Sequence, residues 1–179
     1  MPATAAKNEA CEDGVVNLMR AAILVFLALP ALASAQHPLA DLVGKTIDAR
    51  VTRVSDGDTI DVIPAGERRP IRVRVFGIDT PERREPFSTR ARNHTRVLVF
   101  DKAVRVTGES VDRYGRLVAR VRVGDVDLAL DLLRAGLACH FTRFSDDREY
   151  ANGQTTARAA GAGFWASGAP KPRCVSRGP

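Results

Sequence analysis

The chain has 179 residues, of which 45% are hydrophobic and 27% are charged. This composition suits one compact domain with a core of its own and excludes a disordered, collagen-like or repetitive protein. The formal net charge of +6 is compatible with an anionic partner, although basic charge fits a domain without such a partner equally well.

The N-terminal residues predict export. Arg20 precedes an apolar run from Ala21 to Leu29, and the small residues Ala-Ser-Ala follow at 33–35. A basic residue, an apolar run and a small-residue cleavage motif in this order are typical of a secretory signal peptide. We expect residues 1–35 to be cleaved off rather than retained as an anchor, because the run is short for a membrane span.

The other expected boundaries follow from this interpretation. Residues 1–18 are polar, which is unusual ahead of a signal peptide, and we expect Met19 to be the translation start. We interpret residues 36–43 as a linker, residues 44–166 as the folded domain and residues 167–179 as a flexible tail. The expected location is the periplasm or the exterior of the cell, with no membrane association after cleavage.

Two cysteines remain after the expected cleavage, Cys139 and Cys174, because Cys11 lies in the removed segment. An even pair in an oxidising compartment favours a disulfide that ties the tail to the body. Two free thiols stay an alternative, since the bond needs Cα atoms within about 7 Å of each other. The sequence has no CxxC motif and no histidine cluster, which argues against a zinc site.

Strand signals begin at Lys45 and recur along the first two thirds of the domain. Alternating apolar and polar residues, rich in β-branched side chains, mark each strand. The predicted strands are residues 45–54, 58–63, 70–78, 103–109 and 116–123.

Three helices are predicted around these strands. The first covers residues 87–99, with Ser88 or a neighbour as its N-cap, the second covers 127–136 with Gly136 as its stop, and the third covers 146–160. The remaining tail reads as turn and coil. This order predicts an α+β fold, a five-stranded OB-fold β-barrel with about three helices.

Three short motifs lie where predicted strands begin or end: VSDGDTI at residues 54–60, RVFGIDTPE at 74–82 and DRYGR at 112–116. Taken singly, each motif fits a turn, since Asp, Gly and Pro are common turn residues. Taken together, the motifs place carboxylates and arginines on separate loops of one small domain, and this combination favours a catalytic site.

The charged residues of these motifs suit phosphodiester cleavage. Asp58 and Asp79 offer hard oxygen ligands for one Ca²⁺ ion. Arg74 and Arg116 carry planar guanidinium groups that match phosphate oxygens, and Glu82 is a further carboxylate, able to orient or deprotonate a water molecule. A metal ion and two arginines stabilise the extra charge of a phosphorane-like transition state.

With these three motifs, the chain resembles the staphylococcal nuclease (thermonuclease) family, a group of Ca²⁺-dependent OB-fold nucleases. The motifs occur in the family's order and at family-like spacing, and the resemblance covers roughly residues 44–166. It implies a secreted hydrolase, an endonuclease that cleaves DNA and RNA with little sequence preference and leaves 3′-phosphate ends. It also implies a monomer with no stable protein partner.

The resemblance implies a metal site and a base. Asp58 and Asp79 match the family's two metal-ligand aspartates, and Thr80 matches the residue whose backbone carbonyl completes the protein's ligands. Glu82 matches the carboxylate proposed as general base or water organiser. Asp56 matches an acidic residue beside the metal.

The resemblance also implies a phosphate and nucleotide site. Arg74 matches the first phosphate-binding arginine, and Arg116 matches the second, which assists the leaving group. Arg113 and Tyr114 match positions that line the nucleotide pocket. Arg72 is a rival of Arg74 for the phosphate, because residues two apart on a strand share a face; the spacing from the second aspartate favours Arg74.

The segment after the second helix departs from the family pattern. It reads GLACHFTRF, so that Phe141 and Phe144 keep aromatic rings but lack hydroxyl groups. Base stacking needs only the face of a ring, so binding is compatible with this change. We interpret His140 as a packed or solvated residue, and Trp165 as a residue of the core.

Two other functions compete with the nuclease prediction. A non-catalytic nucleic-acid-binding module on the same fold would be expected to lack some of the carboxylates or arginines, whereas here all five charged site residues are present. A protein-interaction domain would not explain why these residue types recur in three motifs, and the fold alone does not decide between functions.

Overall fold

The computed structural model describes residues 39–176. The predicted signal peptide and the predicted start at Met19 lie outside these residues.

Five strands form a closed barrel, as predicted. Their order in the sheet is β3-β2-β1-β5-β6, and parallel pairing between β3 and β6 closes the barrel. The barrel strands are β1 (Thr46–Val54), β2 (Thr59–Pro64), β3 (Ile71–Val75), β5 (Ala103–Val111) and β6 (Leu117–Val123). Three two-residue strands are β4 (Ile78–Asp79), β7 (Val126–Asp127) and β8 (Cys139–His140).

Apolar side chains from one face of each strand fill the barrel interior. Side chains two apart on a strand share a face, and one face of each strand carries Val, Ile, Leu or Ala. A fully buried aliphatic side chain of this size contributes about 1.5–3 kcal/mol to stability. The barrel residues with no exposed surface are Val51, Ile60, Val62, Val73, Val106, Leu117 and Ala119.

Helices α1 (Ser88–Val99), α2 (Leu128–Arg134) and α3 (Arg148–Ala159) correspond to the three predicted helices. Gly136, the predicted stop of the second helix, has a φ of 64° and follows the last turn of α2. No helix within residues 39–176 is both long enough and apolar enough to span a membrane.

The predicted polar cap of the first helix is wrong. Ser88 is already helical, and the residue before it, Phe87, has a φ of 68° and makes no capping hydrogen bond with its side chain. The Phe87 ring instead meets the Phe164 ring edge to face, with the centroids 5.9 Å apart. Aromatic packing, rather than a hydroxyl group, therefore defines the start of α1.

The predicted strand 70–78 is divided into two. Strand β3 ends at Val75, Gly77 turns the chain with a φ of 74°, and β4 then pairs with β8 in a separate sheet. A Cβ atom at Gly77 would lie 2.9 Å from the ring of Tyr150, so only glycine fits here. The turn directs Asp79 away from the barrel wall.

The C-terminal tail is tied to the body. Cys139 and Cys174 form a disulfide, with their Cα atoms 5.9 Å apart. The tail was predicted to be turn and coil, but it contains a single helical turn, α4 (Arg173–Ser176). The bond therefore links α4 to strand β8.

Replacing Cys174 by serine should lower the free energy of unfolding by about 3–4 kcal/mol, because the bond closes a loop of 35 residues. Urea denaturation of the wild type, of Cys174→Ser and of the exposed Ser167→Ala as a control measures this difference. The wild type after reduction should behave like Cys174→Ser. An unchanged urea midpoint for Cys174→Ser would contradict the prediction.

Candidate active site

A cleft of about 710 Å³ opens at the end of the barrel where the three motifs meet. All of the site residues predicted from the sequence line this cleft. They are Asp58, Arg74, Asp79, Thr80, Glu82, Arg113, Tyr114 and Arg116.

Strand pairing brings the motifs together. Thr59, next to Asp58, lies opposite Arg74 in the β2–β3 pair, and Arg74 lies opposite Val118 in the β3–β6 pair. Arg116 directly precedes β6. The same closure that completes the barrel therefore sets the first aspartate and the two arginines at one rim.

Asp58 is held firmly in the cleft wall. Its side chain is buried, and its Oδ2 atom accepts hydrogen bonds from the backbone N–H and from the hydroxyl of Thr80, both at 2.8 Å. The resemblance assigns to Thr80 only a carbonyl ligand. The structure adds a second role, since Thr80 orients the carboxylate of Asp58.

The turn before Asp58 is fastened to α1 by residues that the sequence analysis missed. The buried hydroxyl of Thr95 donates to the carbonyl of Gly57 at 2.6 Å. A Cβ atom at Gly57 would lie within 2.9 Å of the side chains of Thr80 and Ala91. Ala91 and Thr95 are four residues apart on one buried helix face, and this spacing predicts a packed face but not the turn that packs against it.

Arg74 joins the two aspartates. One of its terminal nitrogens contacts Asp58, and the other lies 2.9 Å from Oδ1 of Asp79 and donates to the carbonyl of Ile78 at 3.2 Å. Burial lowers the pKa of the Arg74 guanidinium, the Asp79 carboxylate opposes this shift, and the nearby positive charge of Arg116 adds to it. Two cationic groups therefore face the same cleft.

Arg72, the rival for the phosphate role, points elsewhere. Its guanidinium pairs with Asp61 on the neighbouring strand, at 2.8 and 3.2 Å, and half of its side chain is exposed. It does not line the cleft. The geometry therefore favours Arg74 as the arginine that faces a substrate.

Arg116 is oriented by Asp112, to which the sequence analysis gave no role. Nε of Arg116 donates to Oδ2 of Asp112 at 2.7 Å, and Oδ1 accepts the backbone N–H groups of Arg116 and Tyr114. Partial burial acts to raise the pKa of Asp112, but these hydrogen bonds outweigh it and lower the pKa. Asp112 thus stays ionised and fixes the orientation of the Arg116 side chain.

Aromatic rings form the outer part of the cleft. Tyr114 and Phe144 are 68% and 63% exposed although both line the cleft. Phe141 packs against Phe144 with ring centroids 5.0 Å apart, and the guanidinium of Arg113 lies 4.9 Å from the Tyr114 ring. Exposed rings beside arginines suit stacking on bases.

Glu82 lies on the exposed rim of the cleft. Its backbone N–H donates to Oε2 of Glu85 at 3.0 Å, which fixes the main chain, and the exposed residue lines the cleft. Asp56 also lines the cleft, and its Oδ1 atom accepts the backbone N–H of Asp58 at 3.2 Å.

The residues around Arg74 fit a divalent cation. Asp58 and Asp79 are buried carboxylates that already converge on one positively charged group, and Ca²⁺ prefers hard oxygen ligands of this kind. Within residues 39–176, no group of three or more His, Cys, Asp or Glu side chains is arranged to hold a metal. By the resemblance, the protein would supply two carboxylates and the carbonyl oxygen of Thr80.

Two predictions outside the cleft have different outcomes. His140 is a packed residue, as interpreted: it is buried, its Nε2 atom lies 3.2 Å from the hydroxyl of Ser145, and burial lowers its pKa. Trp165 was predicted to be in the core but is only partly buried, with Arg158 stacked on its ring at 4.2 Å. Its neighbour Phe164 takes the core position and has no exposed surface.

Comparisons with known proteins place the chain among nucleases. The family model described as staphylococcal nuclease homologue matches residues 72–167. An uncharacterized endonuclease of Haemophilus influenzae is 34% identical over 121 residues, 68% of this chain and 67% of that protein. One of Escherichia coli O157:H7 is 33% identical over 132 residues, 73% and 85% of the two chains. The micrococcal nuclease of Shigella flexneri is 41% identical over 106 residues, 59% and 53% of the two chains.

The matched region agrees with the architecture. It contains the second and third motifs, whereas the first motif, at 54–60, precedes it and reaches the same cleft through the β2–β3 pair. The family model spans more than half of the chain, and the first two relatives are matched over two thirds or more of their length. The chain therefore belongs to the family of staphylococcal nuclease homologues.

Proposed function

We propose that the protein is a Ca²⁺-dependent nuclease that hydrolyses phosphodiester bonds of DNA and RNA with little sequence preference. The observation that carries this proposal is the convergence of two buried carboxylates and two arginines on one cleft that has a carboxylate on its rim. Family membership and the nuclease names of several relatives support it.

The charged residues of the cleft and Thr80 each have a role in the proposed reaction. Arg74 and Arg116 bind phosphate oxygens through their planar guanidinium groups and stabilise the charge that grows in the transition state. Glu82 orients a water molecule in line with the scissile bond and accepts its proton. Asp58, Asp79 and the Thr80 carbonyl would hold Ca²⁺, which supplies a Lewis acid for a phosphate oxygen.

The outer cleft accounts for the proposed substrate range. Tyr114 and Phe144 offer ring faces to bases, and stacking of this kind tolerates any base. Arg113 lies beside them as a partner for a phosphate. By resemblance to the family, the products carry 3′-phosphate ends, and the protein works as a monomer in the periplasm or outside the cell.

The first test is cleavage of denatured DNA and of RNA by the purified protein with Ca²⁺, with Mg²⁺ and with a chelator. We expect cleavage with Ca²⁺ and none with the chelator, because the carboxylates favour a hard cation with flexible coordination. Product ends that lose phosphate to a 3′-phosphatase would agree with the proposed polarity. Salt-sensitive binding without cleavage under any metal would instead favour a non-catalytic binding module.

A further inference from the structure

The loop from Glu82 to Phe87 has an unusual backbone. Arg84 and Phe87 have φ values of 75° and 68°, a region that residues with side chains rarely adopt. Such a conformation persists only where surrounding contacts hold it.

Glu85 makes the central contact. Its Oε2 atom accepts the backbone N–H of Glu82 at 3.0 Å, and its own N–H donates to the Glu82 carbonyl at 2.9 Å. The Glu85 side chain is only 12% exposed. Glu85 therefore binds both backbone groups of Glu82, the N–H through its nearly buried carboxylate and the carbonyl through its own backbone N–H, while Glu82 lines the cleft.

The C-terminal tail supplies the charge that balances Glu85. Nε of Arg173 lies 3.0 Å from Oε1 of Glu85. Burying a carboxylate is costly unless a positive charge or a hydrogen bond compensates it. Arg173 is the residue before Cys174, and the disulfide holds this turn of helix against Cys139.

The same disulfide reaches the other side of the cleft. In the β4–β8 pair, Cys139 lies directly opposite Asp79. The disulfide thus links the helical turn that carries Arg173 to β8, the strand that pairs with the one carrying Asp79. The two acidic residues proposed for the metal and for the water, Asp79 and Glu82, are both supported by this tail.

We propose that Glu85 is a positioning residue for Glu82, and that the disulfide-anchored turn Arg173–Ser176 holds Glu85 in place. The proposal rests on the proposed nuclease function, because it assigns a consequence to the position of Glu82. It explains why a nearly buried carboxylate contacts the main chain of Glu82 and why the tail is held against Glu85.

The test is steady-state cleavage of denatured DNA, with kcat and KM measured separately. Glu85→Ala should lower kcat by about tenfold with KM unchanged, since misplacement of a reacting group affects the chemical step. Glu85→Gln should keep most of the rate, because an amide oxygen still accepts the Glu82 N–H. Glu67→Ala, at an exposed turn between β2 and β3, is the control and should match the wild type.

A double-mutant experiment with Glu82 distinguishes a positioning role of Glu85 from a general effect on stability. In a Glu82→Gln background, Glu85→Ala should cause no further loss of kcat, because Glu85 acts through the residue already changed. An equal loss in both backgrounds, or full activity of Glu85→Ala, would overturn the positioning role. Full activity of Glu82→Gln alone would instead overturn the proposed role of Glu82.

The tail is tested with two further variants. Arg173→Ala and Cys174→Ser should each lower kcat, by less than Glu85→Ala, and leave KM unchanged. Arg173 is 74% exposed, so its replacement should leave the core intact. This variant therefore tests the role of the tail even if Glu85→Ala does not fold. Wild-type kcat for both variants would refute the role of the tail.

Discussion

Replacing Arg116 by lysine should lower kcat by about 100-fold, although the positive charge is kept. Arg116 lies at the rim of the cleft, and Asp112 fixes its orientation through Nε and Nη2, both 2.7 Å from Oδ2 of Asp112. The N–H groups of Nη1 are left for a phosphate. A lysine ammonium is a single point charge, and it cannot bind two oxygens in one plane as a guanidinium does. Initial rates at saturating denatured DNA measure the effect.

The matched control for this variant is Arg122→Lys. Arg122 lies on β6, the strand that Arg116 precedes; it is about half exposed and does not line the cleft, so its replacement should leave kcat unchanged. If Arg116→Lys kept the full rate at saturating substrate, the role of Arg116 in stabilising the transition state would be refuted.

Replacing Asp79 by asparagine should raise the Ca²⁺ concentration needed for half-maximal cleavage by about tenfold or more, because affinity for Ca²⁺ depends on the number of charged ligands. Asp79 is buried in β4 and shares the Arg74 guanidinium with Asp58. An amide keeps the shape of the side chain but removes the negative charge. Calorimetric titration of Ca²⁺ would measure the same loss without a substrate.

Asp48→Asn provides the control for Asp79→Asn, since Asp48 is exposed on strand β1 and lies outside the cleft. Its Ca²⁺ dependence should equal that of the wild type. An unchanged Ca²⁺ dependence of Asp79→Asn would count against a metal site at this position.

The motif residues could be predicted from the sequence because their chemistry depends on residue type and on local spacing. Asp58, Asp79 and Glu82 are recognisable as carboxylates at strand ends, and the spacing from Asp79 favours Arg74 over Arg72. The supporting residues were not predictable in this way. Their roles come from contacts with distant partners.

Thr95 and Asp112 show this difference. Thr95 hydrogen-bonds a residue 38 positions earlier in the chain, and nothing in its own helix indicates that partner. Asp112 belongs to a motif that was recognised, but the sequence alone favoured a hairpin turn and left its contact with Arg116 unseen. Side-chain partners of this kind depend on how the loops meet.

The sequence by itself determined the barrel strands, the three helices and the chemical groups of the site, because alternation, turn residues and residue type act over a few neighbouring positions. Only the tertiary structure decided that β3 closes on β6, that Gly77 turns Asp79 towards β8, and that the cysteines are bonded. These features depend on distances between residues far apart in the chain. Such distances are set when the apolar faces of the strands close around one core.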